Sequence, residues 1–402
     1  MDAVAELRTT DRAVVVGAGM AGAQAALNLR QGGWRGPIAL LGDEPHPPYD
    51  RPPLSKDVLL GKADRTTFEI DWAGLDVDLL ADRRATGLDD GVLRTDRGEL
   101  RYDALVIATG AGPRTLPGLP AARTLRTVDD ALALRAALTP GRRIVLVGAG
   151  WIGAETATVA RALGCEVTVV EAAATPLPGA LPAELGALMA DWYAAAGVDL
   201  RRGATVAGAA DGGVLLADGT HLPADEVVVG VGARPATDWL AGGPLALDPG
   251  GTVPVDDRLR TALPGVWAAG DCVSYPSARF GTRLAVQHWD HALHSGGAVA
   301  ASVLGTLDAP YDPVPYFWSE QFGRTVQYAG RHAGADHLLW RGSPSDPAWT
   351  VLWLRDVALV ALLAVDRPRD LAQGRRLVER ATVLDPARAA DPAVPLKAAA
   401  AQ

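Results

Sequence analysis

Three glycines at Gly17, Gly19 and Gly22, and three more at Gly148, Gly150 and Gly153, repeat the pattern glycine-x-glycine-x-x-glycine. Ala18, Met20 and Ala21 stand between the first set, and Ala149, Trp151 and Ile152 between the second. The chemistry open to such a loop is the holding of a pyrophosphate. The first glycine allows a tight turn, the second lets the backbone approach the phosphates, and the third lets helix and strand pack closely. The anion then sits on free N–H groups at a helix N-terminus. One copy alone is also what an ordinary tight turn looks like; two copies in matching surroundings point to two dinucleotides on one chain.

The surroundings match because each loop follows a run of branched aliphatic residues, Ala13 to Val16 and Ile144 to Val147. A second apolar run follows each helix and leads to an acid. Ile38 to Leu41 leads to Glu44, and Val167 to Val170 leads to Glu171. These acids lie a little beyond the roughly 20-residue spacing at which a carboxylate reaches a ribose 2′-hydroxyl. Taken alone, each also reads as a surface acid at a strand end. The prolines of the run Glu44-Pro45-His46-Pro47-Pro48-Tyr49-Asp50-Arg51-Pro52-Pro53-Leu54-Ser55-Lys56 forbid a regular helix or a central strand and make a stiff loop carrying the cations Arg51 and Lys56.

The elements that must position these groups read as α/β. Tyr102 to Gly110, ending in Ala108-Thr109-Gly110, is a buried strand running into a small-residue turn, and Glu226 to Pro235, through Gly232, repeats the form, so each closes one nucleotide-binding unit. A third such signal, Gly265 to Asp271, lies outside either repeat, which predicts that the chain returns to its first domain after 243. Gly270-Asp271 ends that strand with an acid able to meet a polyol or to cap a helix. Beyond 310 the pattern changes to strands, with 350–354 and 357–363 flanking Arg355-Asp356 as a hairpin, then a helix over about 368–381 and a loosely ordered Ala/Pro-rich tail from about 386. His288, His291 and His294 have helical spacing, with spacings of three and no cysteine ligand nearby, and they read as a polar interface face rather than a metal site.

Composition bounds the function. With 402 residues, 49% apolar and 21% charged, the chain reads as globular with two or three domains. A net charge of −9 argues against non-specific nucleic-acid binding. No apolar run is long enough to span a membrane and no secretory signal is apparent, so the expected location is cytoplasmic. Cys165 and Cys272 are not closely paired, which removes a redox-active disulfide and leaves each as a small buried side chain.

The combination Gly-Ala-Gly-Met-Ala-Gly, Pro-Tyr-Asp-Arg-Pro-Pro-Leu-Ser-Lys, Ala-Thr-Gly, Gly-Ala-Gly-Trp-Ile-Gly-Ala-Glu, Ala-Ala-Gly-Asp and Tyr-Phe-Trp-Ser-Glu-Gln spans nearly the whole chain. It resembles the oxygenase-coupled, NADH-dependent ferredoxin reductases of the putidaredoxin reductase and Rieske dioxygenase type. The resemblance implies a glutathione-reductase-like fold with two Rossmann-like dinucleotide-binding domains and a C-terminal α+β interface domain. FAD would be held by 1–112 and 243–309 and NADH by 113–242, with 310–402 as the interface domain. By the same resemblance Gly17, Gly19, Gly22 and Glu44 would hold FAD, Arg51 and Lys56 its flavin side, and Asp271 its ribityl chain. Gly148, Gly150, Gly153 and Glu171 would bind NADH, while Trp289, Phe317 and Trp318 would border the flavin. Lys56 would lie near flavin N5 and pair with Glu155.

Several positions depart from the family pattern. Thr175 and Gly179 stand where basic residues often follow the NADH-binding acid, Ala285-Val286-Gln287 where Arg-x-Glu is common, and Ala236 where Asn is common. The implied function is transfer of electrons from NADH through FAD, singly, to an iron–sulfur ferredoxin serving a cytochrome P450 or a Rieske oxygenase, with Arg279, Arg283 and Arg324 as candidates to meet an acidic ferredoxin. The alternatives are a reductase of rubredoxin, a quinone or oxygen, and a non-enzymatic redox-sensing module that keeps the same loops.

Overall fold

The computed structural model describes residues 7–401. Its chain clusters into two compact units, one built from the described residues up to 50, 67–112 and 234–316, the other from 51–66, 113–233 and the described residues from 317 on. The proline-rich segment from Arg51 to Thr66 therefore groups with the second unit.

The first unit centres on a five-stranded sheet ordered Val266–Ala268, Ala104–Ile107, Ala13–Val16, Ile38–Leu41, Val77–Leu80. All four pairings are parallel, with Ala13 level with both Ile38 and Ala104. Strands covered on both faces need continuous apolar runs, and Val15, Leu40, Leu105 and Ile107 are indeed fully buried. Val266–Ala268 pairing with Ala104–Ile107 shows the chain returning to this sheet late in the sequence. Helices Met20–Gln31 and Trp289–Val303 pack against each other where Gly296 has no side chain to hold them apart; a Cβ there would lie 2.5 Å from the Ala21 carbonyl oxygen.

The second unit holds a parallel sheet ordered Asp199–Arg202, Glu166–Glu171, Arg143–Val147, Glu226–Val229. It also holds a five-stranded sheet ordered Tyr316–Gln321, Arg324–Gly330, Ala358–Val365, Trp349–Arg355, His337–Arg341, backed by helix Pro368–Glu379. Leu185, Met189 and Trp192 of helix Ala183–Ala195 share one core with Val351, Leu363 and Val365 of that sheet.

Two expectations for the C-terminal region are corrected. The hairpin turns on Asp356 and Val357, both at positive φ (46° and 59°), one residue later than Arg355-Asp356. Arg355 still pairs with Ala358 in the ladder. A two-residue hairpin with both residues left-handed is favoured by strand twist, but a β-branched residue there is strained. Val357→Gly is expected to raise stability by about 1 kcal/mol, measured as a higher thermal midpoint.

The tail is also ordered. Pro386–Ala390 forms a short helix capped by the Asp385 carboxylate, Leu396–Ala399 forms a 3-10 turn, and Ala389, Leu396 and Ala399 are buried. The organiser is Arg341, 2% exposed. Its guanidinium donates to Asp370 Oδ2 at 2.9 Å and to the carbonyls of Ala389, Asp391 and Val394 at 3.1, 2.5 and 2.6 Å.

Candidate active site

In the first unit, Gly17 links the end of strand Ala13–Val16 to helix Met20–Gln31 at φ +110°. A Cβ at Gly17 would lie 2.1 Å from the Ala108 carbonyl oxygen and 2.8 Å from Thr109 N, so the loop and the Ala108-Thr109-Gly110 turn lie against each other. A Cβ at Gly19, by contrast, would meet nothing within 4 Å, and no side chain caps the helix that begins at Met20. An open glycine before an uncapped helix N-terminus is the shape a pyrophosphate fits. Gly270 joins this group, since a Cβ there would stand 2.8 Å from Ala21 Cβ, and Asp271 follows it in a short 3-10 turn. Glu44 lies beyond strand Ile38–Leu41 and accepts a 2.6 Å hydrogen bond from Tyr49 Oη. Trp289, at the start of its helix, donates from Nε1 to Asp50 Oδ1 at 2.6 Å.

In the second unit the construction repeats. Gly148, at φ +103°, would place a Cβ 2.5 Å from the Gly230 carbonyl oxygen, Gly150 faces nothing nearer than 3.7 Å, and helix Trp151–Ala162 is again uncapped by any side chain. Both cradles therefore fit a dinucleotide backbone. Glu171 is buried and holds this loop itself, its Oε2 accepting from Ala149 N and its Oε1 from Ala173 N, both at 2.8 Å. Each oxygen keeps capacity for one further donor. Strand pairing sets Arg202 level with Glu171, a neighbouring cation that the linear sequence does not reveal. Trp151 packs on Phe317 at 4.6 Å between centroids, whereas Ile152 is 41% exposed. Trp318 is half-buried on strand Tyr316–Gln321, and Gly232 lies against Arg114.

Lys56 and Glu155 meet in this unit, Nζ to Oε2 at 2.8 Å. Lys56 also donates to the Pro52 carbonyl at 3.2 Å, and Arg51 donates to the Arg126 carbonyl at 2.9 Å. Glu155, 3% exposed, has both oxygens saturated. Oε2 accepts from Ser55 Oγ as well as Lys56, and Oε1 accepts from Ser319 Oγ at 2.7 Å and Glu320 N at 3.3 Å. Ser55 and Ser319 both stand in motifs quoted above, but nothing local assigns them to Glu155, which lies 100 and 164 positions away.

Other expectations change. His291 is not on an interface face: it is buried, and burial pulls its imidazole down to about 4. His288 is likewise pulled down to about 4 by burial. Among the described residues no cluster suits a metal ion. Arg283 is engaged within its own unit, donating to the Val255 carbonyl at 2.8 Å, and the Arg324 guanidinium lies 4.8 Å from the centre of the Trp192 ring. Both cysteines are buried and free, with burial pushing the Cys272 thiol up to about 11, so neither is a ready nucleophile.

Residues 11–296 match the pyridine nucleotide-disulphide oxidoreductase family, and residues 316–400 match the reductase C-terminal domain. The ferredoxin reductase component of chlorobenzene dioxygenase from Cupriavidus sp. (strain PS12) is 40% identical over 94% of this chain and 94% of its own. The chain belongs to this oxidoreductase family, among its ferredoxin reductases. The crystal structure of Fdr9 matches this ferredoxin reductase with a TM-score of 0.91 at 45% identity, covering 96% of this chain and 99% of its own. The putidaredoxin reductase–putidaredoxin complex matches with a TM-score of 0.93 at 31% identity, covering 97% of this chain and 98% of that one. Among the described residues no helix is long and apolar enough to cross a membrane.

Proposed function

We propose that this protein is an FAD-dependent NADH:ferredoxin oxidoreductase that supplies electrons singly to an iron–sulfur ferredoxin serving a cytochrome P450 or a Rieske oxygenase. The observation that carries the reading is the duplicated cradle, an open glycine before an uncapped helix in each unit, together with the ion pair of Lys56 and the buried Glu155 within the second unit. Relatives named for dioxygenase systems, and a solved reductase–ferredoxin complex of the same fold, support the choice of partner. Bound flavin accepts a hydride from reduced nicotinamide and releases electrons one at a time, which is what a one-electron iron–sulfur carrier needs.

The protein's part is to bind, align and exclude water. Gly17, Gly19, Met20, Ala21 and Gly22 hold the FAD pyrophosphate, Glu44 its ribose, Ala108, Thr109 and Gly110 the adjoining turn, and Gly270 and Asp271 the polyol. Gly148, Gly150, Trp151, Ile152, Gly153, Glu171 and Gly232 hold NADH. Arg51, Lys56, Trp289 and Trp318 serve the flavin ring. In the same reading, residues 1–112 and 243–309 form the FAD domain, 113–242 the NADH domain and 310–402 the interface domain. A cytoplasmic location belongs with it, supported by two cysteines that are free rather than bridged.

Lys56 supplies positive charge beside the flavin, and Glu155 fixes where that charge sits. Lys56→Met is expected to slow flavin reduction by NADH at least about tenfold in stopped-flow, a loss of ~1.4 kcal/mol. An unchanged rate and flavin spectrum would remove the lysine from this role. Glu171 sets the nicotinamide preference, because its carboxylate suits a 2′-hydroxyl and repels a 2′-phosphate. NADH should exceed NADPH in kcat/KM by roughly a hundredfold, the outcome if this repulsion outweighs the attraction of Arg202. Equal efficiencies would count against it.

The whole reading is tested with the purified yellow protein: NADH should bleach the flavin, and cytochrome c reduction should depend on added ferredoxin. Full turnover without ferredoxin would refute the carrier-reductase role.

A further inference from the structure

Gly270 is gripped by both of its backbone polar groups, and both grips come from one face of one helix. Its N–H donates to Ser295 Oγ at 2.9 Å, and its carbonyl lies 3.3 Å from His291 Nε2. His291 and Ser295 stand four positions apart on helix Trp289–Val303, the spacing that puts two side chains one above the other. On its remaining side Gly270, at φ +78°, lies against Ala21 of the first glycine loop.

A third residue decides how the grip works. Tyr311 Oη lies 2.9 Å from His291 Nδ1, and the imidazole stacks on the Tyr275 ring at 5.2 Å and 13°. A carbonyl can only accept, so Nε2 must carry the ring proton of the neutral imidazole, Nδ1 must accept, and Tyr311 must donate. Burial supports this, since all four side chains are shut from solvent and the ring is held neutral. Tyr311 is itself pinned through its backbone N–H to the Asp257 carbonyl at 2.7 Å.

We infer that Tyr311, His291 and Ser295 form a tautomer-locked clip that sets the Gly270–Asp271 turn, and hence the position of Asp271 against the FAD polyol. The inference rests on the reading of this turn as part of the FAD site. His291 and Tyr311 are positioning residues, acting through Gly270 on the residue beside it. Loss of the Tyr311 hydroxyl frees the ring to take the other tautomer, which sets a lone pair against the Gly270 carbonyl and leaves that oxygen only the Val273 N–H of its own 3-10 turn.

The test is FAD release from the holoprotein, followed by flavin fluorescence after dilution. Tyr311→Phe, which deletes one oxygen atom, and His291→Leu should each release FAD at least about tenfold faster. His291→Gln, whose amide can still donate to the carbonyl, should stay within about threefold of wild type. In an Asp271→Asn background the Tyr311→Phe effect should shrink to near nothing, because both changes act on the same contact. Release at the wild-type rate from Tyr311→Phe overturns the clip. So does an effect of undiminished size in the Asp271→Asn background, which would mark the cluster as packing alone. Wild-type protein that never carries FAD would instead overturn the reading of the site.

Discussion

Gly17→Ala is expected to yield protein that does not retain FAD. The added Cβ would fall 2.1 Å from the Ala108 carbonyl oxygen and 2.5 Å from its carbonyl carbon, both backbone atoms that no rotamer change can move. Those atoms follow directly on a strand in register with Ala13–Val16, so the clash is resolved only by prising apart the centre of the sheet. A φ of +110° adds strain for any residue with a side chain. Strain of about 1–3 kcal/mol and overlap of about 1–3 kcal/mol act together. The measurement is the ratio of flavin to protein absorbance, read beside the thermal midpoint. Gly19→Ala is the control: its Cβ meets nothing, so the fold should keep its midpoint while the new methyl occupies pyrophosphate space and weakens FAD retention. Full flavin content in Gly17→Ala would show that the loop does not need the geometry described.

Arg341→Leu is expected to lower stability by about 3–5 kcal/mol, the usual result of removing one partner of a buried ion pair. Asp370 would be left as a buried carboxylate without its guanidinium, keeping only the long 3.3 Å bond from Thr350 Oγ1, and three carbonyls between 389 and 394 would lose the guanidinium, that of Asp391 keeping the Val394 N–H. At roughly 2–4 °C per kcal/mol the thermal midpoint should fall by about 10 °C, and limited proteolysis should begin to cut the tail beyond about residue 385. Arg341→Leu combined with Asp370→Leu should recover part of the loss, because the stranded charge is then gone. Calorimetry of the three variants checks the order, and a midpoint within a degree of wild type in Arg341→Leu would dismiss the assigned anchor.

These cases also show what could be read before the fold was known. The glycine loops, the aliphatic strands before them and the acids after them are local patterns, because a tight turn, a buried parallel strand and a strand-end carboxylate each impose residue types on their own few positions. Ser319 carries no such mark: its bond to Glu155 is made across 164 positions, and serine is at home almost anywhere. The tail misled because its anchors are backbone carbonyls, which every sequence supplies, while the side chain that selects them sits far upstream at Arg341. The histidines misled for the opposite reason. Their spacing placed them on a helix, but whether a face meets solvent or a neighbouring helix depends on the tertiary partner, and His291 meets Gly270, Tyr275 and Tyr311.

The core shared by helix Ala183–Ala195 and the C-terminal sheet bears on how this protein can be recombined. Family boundaries fall between residues 296 and 316, which invites exchange of the last segment with that of a relative. Leu185, Met189 and Trp192 would then meet foreign partners in place of Val351, Leu363 and Val365. A chimaera that carries residues 183–195 along with the C-terminal segment transplants a finished interior, whereas one cut at the family boundary inherits half of one.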